Sequence, residues 1–335
     1  MATPSATRRS PALVFAILAW SLLLSGFAVA TTPRPARGEL SAASRRALAL
    51  QVALDRAGFS PGEIDAGMGA LTTRALAAFR EARGIRSRNA ALDPETVEAL
   101  GTPYGEPLVK YTITDADVAG PFLDHIPDDV MQQQTLPALG YVSALEELAE
   151  RFHVSPALLA RLNPHVQMTA ESTIMVPAVE PLRLPTQQGQ RTRNAEGTSH
   201  GTSIELTKGS GAIIVRDASG RVLMYAPVTV GSTRDPLPIG DWKVTAVFEL
   251  PIFNYNPDLF WDANAAQSKA KIPAGPNNPV GIVWIDINKE HYGLHGTPEP
   301  STVGRTESHG CIRLTNWDAA RLGRLVTPGT KVVFQ

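Results

Sequence analysis

The spacing of apolar residues changes character once along this chain, near residue 200, and no other feature narrows the architecture as much. Up to about residue 180 they recur mostly at i, i+3 and i+4 in short pieces, the spacing of amphipathic helices. Beyond residue 201 they alternate with polar residues, the period of half-buried strands. A chain that keeps helices and strands in separate blocks folds as separate domains rather than as one interleaved α/β layer. Its 335 residues leave room for two or three of them.

In the helical part, Leu48, Val52 and Leu54 lie on an amphipathic run that starts near Ser41, contains Gln51 and stops at Gly58. Turn-forming residues fill 60–69. A second helix is expected over Leu71–Arg83, with Ala75, Leu76 and Phe79 inward and Gly84 as its stop. Asp93-Pro94 opens a third helix that runs to Leu100, with proline at the first helical position. After a linker at Gly101–Pro107, Lys110–Thr114 reads as a strand. Ala144–Phe152 reads as a helix with Leu145, Leu148, Ala149 and Phe152 on one face. Ser155 caps the next helix, Pro156 begins it, and Thr173–Val176 is a strand closed by Pro177. Residues 181–201 are polar and aperiodic, a linker.

The strand-like runs beyond it are Ser203–Lys208, Ala212–Asp217, Val222–Val230, Trp242–Phe248, Ile282–Ile287 and Lys331–Phe334. One helix interrupts them, Asn316–Val326, introduced by a capping spacing from Thr315 to Asp318. Residues 202–335 therefore form a mainly β domain with one docked helix.

Charge argues against nucleic acid as a partner: 31 basic residues face 32 acidic ones, without a basic run. A single cysteine, Cys311, excludes an internal disulfide framework and a multi-cysteine metal site. Arg8-Arg9, the apolar stretch Pro11–Leu24 and Ala28-Val29-Ala30 make up a secretory signal peptide over residues 1–30. Cleavage after Ala30 would release the chain into the periplasm or cell envelope. The competing reading is a retained anchor, because some 20 residues is close to the length that spans a bilayer.

Cys311 stands in the stretch Ser308-His309-Gly310-Cys311-Ile312-Arg313-Leu314. A free thiol is mostly protonated at neutral pH and becomes a useful nucleophile when a base or a positive charge adjoins it. His309 is two residues away and shares a face on an extended chain, whereas His295 reaches the sulfur only if the chain folds back. Gly310 and Gly296 let backbone approach closely, the raw material of an oxyanion hole. His291 and His295 have a zinc-pair spacing but lack the intervening glutamate and sit in strand-like text. No metal and no cofactor is expected.

Three resemblances follow. Leu50-Gln51, Gly58-Phe59, Pro61-Gly62, Ile64-Asp65, Gly69, Thr72, Phe79 and Asp93-Pro94-Glu95-Thr96 resemble the peptidoglycan-binding domain type 1 pattern over 41–101. Ala66 stands where that family has glycine, and Arg80 where it has glutamine. The strand–helix–helix–strand text over 108–180 is similar to a LysM module carrying an insertion at about 115–140.

The third covers 202–335. Gly293-Leu294-His295-Gly296-Thr297-Pro298, Val303-Gly304 and the stretch from Ser308 to Leu314 resemble the L,D-transpeptidase catalytic family. With the other two, that resemblance implies a multidomain wall enzyme: a β-sandwich with one docked helix, preceded by a three-helix wall-binding domain and a small α+β module. It implies Cys311 as nucleophile and His295 as base, with a carbonyl near Gly296 orienting it. His309, Gly310, Gly296 and Ser308 would form the wall and oxyanion site, and Arg313 and Thr297 would meet substrate. The implied partners are peptidoglycan stem peptides and glycan strands, with an envelope protein as a further acceptor. Hydrolysis or D-amino-acid exchange by the same thioester, and a non-enzymatic wall-binding protein, are the alternative functions.

Overall fold

Most described helices in this protein start at a side chain that accepts from an otherwise unpaired backbone N–H group. The computed structural model describes residues 1–2, 39–87, 92–186, 189–190, 201–264, 266–308 and 310–335. The expected signal peptide, apart from Met1 and Ala2, and His309 therefore lie outside the described residues. Ser41 caps α1 (Ala42–Arg56), Gly84 ends α2 (Ala70–Arg83) in the left-handed conformation, and Asp93 caps α3 (Pro94–Leu100). Gln51 organises the loop between the first two helices. Its Nε2 donates to Asp65 Oδ1, Gly67 O and Thr72 Oγ1, and its Oε1 accepts from Ala66 N. Ala66 itself has φ +60°, a left-handed conformation that glycine adopts without strain. Arg80 is buried and paired with Asp93 and Thr96, which ties α2 to the cap of α3.

In the next segment β1 (Leu108–Thr112) pairs antiparallel with β2 (Thr173–Pro177). Between them come the one-turn helices α4 (Asp115–Val118) and α5 (Val130–Gln133), then α6 (Ala144–Arg151) and α7 (Pro156–Leu162). The first strand begins two residues earlier than its sequence suggests, because Leu108 pairs with Pro177.

The carboxyl-terminal part is built on one nine-stranded sheet. The expected linker contributes a short strand to it, β3 (Gly189–Gln190). The others are β4 (Ser203–Leu206), β5 (Ala212–Arg216), β6 (Val222–Pro227), β7 (Gly240–Glu249), β10 (Val283–Ile287), β11 (Gly293–His295), β12 (Ile312–Arg313) and β13 (Lys331–Phe334). A separate hairpin-like pair, β8 (Phe253–Tyr255) with β9 (Ala270–Ile272), stands off it. The main path runs β12-β11-β10-β7-β13-β4-β5-β6, with β3 also on β7. Where a two-layer sandwich was expected, the two layers are continuous through β7. Its residues Gly240–Lys243 pair with β13, and Val244–Glu249 pair with β10. The run Val222–Val230 breaks at Pro227, and Thr229 then exchanges two backbone hydrogen bonds with Arg313 (2.9 and 3.0 Å). α8 (Asn316–Leu325), capped by Thr315, covers β10 and β11.

The described residues from Glu39 onward form one compact unit. Phe59 and Phe79 of the helical segment share a core with Tyr225 and Ala212 of the sheet. Asp55, on α1, is fully buried and meets His153 Nδ1 at 3.1 Å and Arg321 Nη2 at 3.8 Å. Burial works against its carboxylate, but His153 and Arg321 outweigh that and hold it below the usual range. Trp317 stacks on His153, with centroids 5.1 Å apart. Three segments that read as separate modules thus meet around one buried charge cluster. No described helix is long and apolar enough to cross a membrane.

Candidate active site

Directly opposed residues in neighbouring strands point to the same face of a sheet. Phe248 opposes Trp284, Trp284 opposes His295, and His295 opposes Arg313, so four strands place these side chains in one row. Cys311 lies two residues before Arg313 and joins that face by alternation. All five side chains line a cleft of about 1030 Å3.

His295 ends β11 and is 3% exposed. Its Nδ1 donates to Gly296 O at 2.6 Å, which leaves Nε2 as the acceptor of the neutral ring. The Trp284 ring stacks on it, centroids 5.3 Å apart. Burial, reinforced by the Arg313 charge, brings the imidazole down to about 3, against the pull of the Gly296 carbonyl. His295 is therefore neutral at any pH near 7.

Cys311 sits just before β12 and is half-buried. Its thiol donates to His291 O at 3.7 Å. Burial pushes the thiol up, while a hydrogen bond from Gly293 and the Arg313 charge pull the other way. The resting pair is a neutral thiol and a neutral imidazole. Buried Ser308 braces the loop, its hydroxyl donating to Cys311 O at 2.6 Å and its N–H to Val230 O at 3.1 Å. Gly310 has φ +103°, and a Cβ there would come within 2.8 Å of the Tyr292 ring. Only glycine fits both constraints.

Arg313 reaches the cleft from β12, its guanidinium partly desolvated, which works against its charge, while Glu299 and the Cys311 sulfur, when ionised, favour it. Thr297 is buried outside the cleft lining, with its hydroxyl accepting from Glu299 N at 3.3 Å. His309 cannot be placed, since it lies outside the described residues.

Sequence reasoning overlooked two parts of the site. Tyr292 lines the cleft against Gly310, and its place in a turn beside His291 carried no signal. Asp128, Val130 and Gln133 line the far wall, although they belong to the insertion at 115–140. That insertion packs Ile126, Val130, Met131 and Leu136 against Tyr255 and Ile272 of the β8–β9 pair.

With this geometry in hand, comparison with known proteins is direct. Residues 208–334 match the YkuD family, the L,D-transpeptidase catalytic domain. The chain is similar to the YkuD protein of Bacillus subtilis strain 168, 27% identical over 193 residues, which is 57% of this chain and 92% of that protein. It is 43% identical over 135 residues to YbiS of Escherichia coli K12, 36% of this chain and 44% of that one. Both relatives are named as L,D-transpeptidases. Among solved structures, L,D-transpeptidase 3 from Mycobacterium tuberculosis aligns over 50% of this chain and 76% of its own, at 15% identity and TM-score 0.34.

Proposed function

We propose that this protein is an exported peptidoglycan L,D-transpeptidase that works through a Cys311 thioester. The observation that carries the reading is the row formed by His295, Arg313 and Cys311 on one sheet face, with His295 Nδ1 fixed on Gly296 O. A neutral imidazole so held can accept a proton at Nε2 and return it.

The donor is a stem peptide whose third residue is a diamino acid. Cys311 Sγ attacks the carbonyl carbon of that residue as its proton passes to His295 Nε2. Collapse of the tetrahedral adduct returns the proton to the departing nitrogen, which leaves as the terminal D-amino acid, and a thioester remains. An acceptor amine on a neighbouring stem, or on an envelope protein, then attacks the thioester carbonyl. His295 takes the amine proton and delivers it to sulfur, which restores the thiol. Backbone N–H groups at Gly310 and Cys311 stabilise the developing oxyanion, the largest single contribution in reactions of this kind. Arg313 favours negative charge on sulfur and on a substrate carboxylate alike.

The two preceding segments act at the same surface. The order β1, α6, α7, β2 supports a LysM-like module over 108–180, and the capped three-helix arrangement supports a peptidoglycan-binding domain over 41–101. Their role is to hold glycan strands near the cleft.

The test is incubation with a disaccharide-tetrapeptide, followed by mass analysis of protein and products. An acyl adduct on Cys311 and a cross-linked or exchanged product are expected. Release of free peptide without any enzyme adduct would refute the thioester.

A further inference from the structure

Asn316, the first residue of α8, is fully buried, and both ends of its amide are engaged. Its Oδ1 accepts from Ile282 N at 3.1 Å. Its Nδ2 donates to Pro276 O at 3.1 Å and to Glu150 Oε1 at 2.7 Å. Glu150 comes from α6, in the segment that precedes the sheet domain, and its Oε2 accepts from Tyr141 OH at 2.6 Å. Asn316 also touches the backbone of the active site. A Cβ added to Gly296 would come within 2.1 Å of Asn316 Oδ1, and one added to Gly281 within 2.0 Å. The Asn316 amide thus occupies the space beside the peptide whose carbonyl holds His295 Nδ1.

We propose that Glu150 is a positioning residue for His295, acting through Asn316 and the Gly296 peptide. The inference rests on the reading of His295 as the base.

The chemistry of the amide makes the argument. An asparagine side chain can present either its oxygen or its nitrogen to a neighbour, and only one orientation offers Oδ1 to Ile282 N. With both carboxyl oxygens accepting, one from Asn316 Nδ2 and the other from Tyr141 OH, Glu150 favours the orientation in which Nδ2 faces it. Without Glu150 one buried Nδ2 hydrogen loses its acceptor while the other keeps Pro276 O, and turning the amide to find another breaks the Ile282 bond. Gly281 and Gly296 leave no room for a Cβ beside that amide, so a turned amide sets its N–H groups against the Gly296 peptide. A displacement of about 1 Å in a catalytic group costs up to ~100-fold in rate.

Among the described residues no cation faces Glu150 to offset its burial. Desolvation, with smaller contributions from the neighbouring Glu146 and Glu147, pushes its carboxyl up to about 7 despite the two hydrogen bonds. An apolar side chain here would leave Asn316 Nδ2 and Tyr141 OH short of an acceptor, so its hydrogen bonds are what its burial serves.

Cys311 is the single thiol of the chain, so its alkylation by iodoacetamide can be followed by intact mass without interference. The experiment is a double-mutant cycle on the full-length protein: parent, Glu150→Leu, His295→Asn and the double variant, with thermal unfolding recorded for each. His295→Asn should slow alkylation strongly. Glu150→Leu should slow it about tenfold, and the double variant should be no slower than His295→Asn alone. Glu150→Gln, which still offers Asn316 a carbonyl oxygen, should restore the parent rate. A folded Glu150→Leu that reacts at the parent rate, or losses that add in the double variant, would overturn the inference while leaving the base assignment intact. A His295→Asn variant as fast as the parent would remove the base assignment and this inference with it. If Glu150→Leu does not fold, Glu150→Asp withdraws the carboxylate by one methylene and keeps its charge, and the same cycle applies.

Discussion

Trp284 and His295 oppose each other across β10 and β11, with ring planes 16° apart and centroids at 5.3 Å. The indole is itself fixed, because Nε1 donates to Asp286 Oδ1 at 3.2 Å. One face of the imidazole is therefore covered by an aromatic plate, and that cover is part of the burial that holds His295 neutral down to about 3. Trp284→Leu should admit water to the ring and raise its pKa toward the free value. The acid limb of the acylation pH–rate profile then moves upward from about 3 toward 6.5. A single-turnover acylation series across pH for both proteins checks this, and an unmoved acid limb would show that the indole does not control the base.

Cys311 contributes little packing, since it is half-buried and its sulfur makes weak hydrogen bonds, one to His291 O at 3.7 Å and one from Gly293. Cys311→Ala should abolish the acyl adduct and the product while changing unfolding free energy by no more than about 1 kcal/mol. The paired measurement is mass analysis of the adduct with urea unfolding of the same preparations. Product at the parent rate would mean that another group is the nucleophile.

Much of this architecture was legible wherever one residue type decides a local event. Asp93-Pro94, Ser155-Pro156 and Thr315 mark helix starts that the structure places at Pro94, Pro156 and Asn316. The strands β11 and β12 were not legible, because pieces as short as Gly293–His295 and Ile312–Arg313 have no period to read. Pairing across the sheet, rather than local pattern, makes them strands. The same is true of the far wall of the cleft. Asp128 and Gln133 read as polar positions in an insertion, and only packing against Tyr255 and Ile272 brings that insertion to the cleft. Nothing in the text between Ala149 and Arg151 signals that Glu150 is buried, and a residue from another segment, Asn316, explains it.

Ala66 offers a stability test of the helical segment. It holds φ +60° in the loop that Gln51 ties together, and an alanine there carries a steric penalty of about 1–2 kcal/mol that glycine avoids. Against this, glycine loses more chain entropy on folding, by roughly 0.5–1 kcal/mol. Ala66→Gly should therefore be neutral to stabilising, by up to about 1.5 kcal/mol. A thermal or urea unfolding curve decides it, and a clear destabilisation would mean that the alanine methyl, 5% exposed, contributes more by packing than it loses to strain.

The last prediction concerns pH and stability, and its sign follows from proton binding. Burial raises the Glu150 carboxyl from 4.5 to about 7, so between these values the folded protein holds a proton that the unfolded chain has released. Unfolding then releases protons, and the stability contributed by this group falls as pH rises from 4.5 through 7. Asp318, raised to about 6 by burial and by the nearby Asp55 charge, acts in the same direction. His295, lowered from 6.5 to about 3, acts in the opposite direction, since its folded form binds fewer protons below 6.5. Comparing the parent with Glu150→Gln cancels the other two. Across this interval the parent should lose stability relative to the variant, by an amount on the order of 1–3 kcal/mol. Urea unfolding of both proteins at matched ionic strength, at pH values spanning 4.5 to 7, measures the difference directly. If that difference stays constant or changes in the opposite sense, Glu150 does not hold a raised carboxyl in the folded protein.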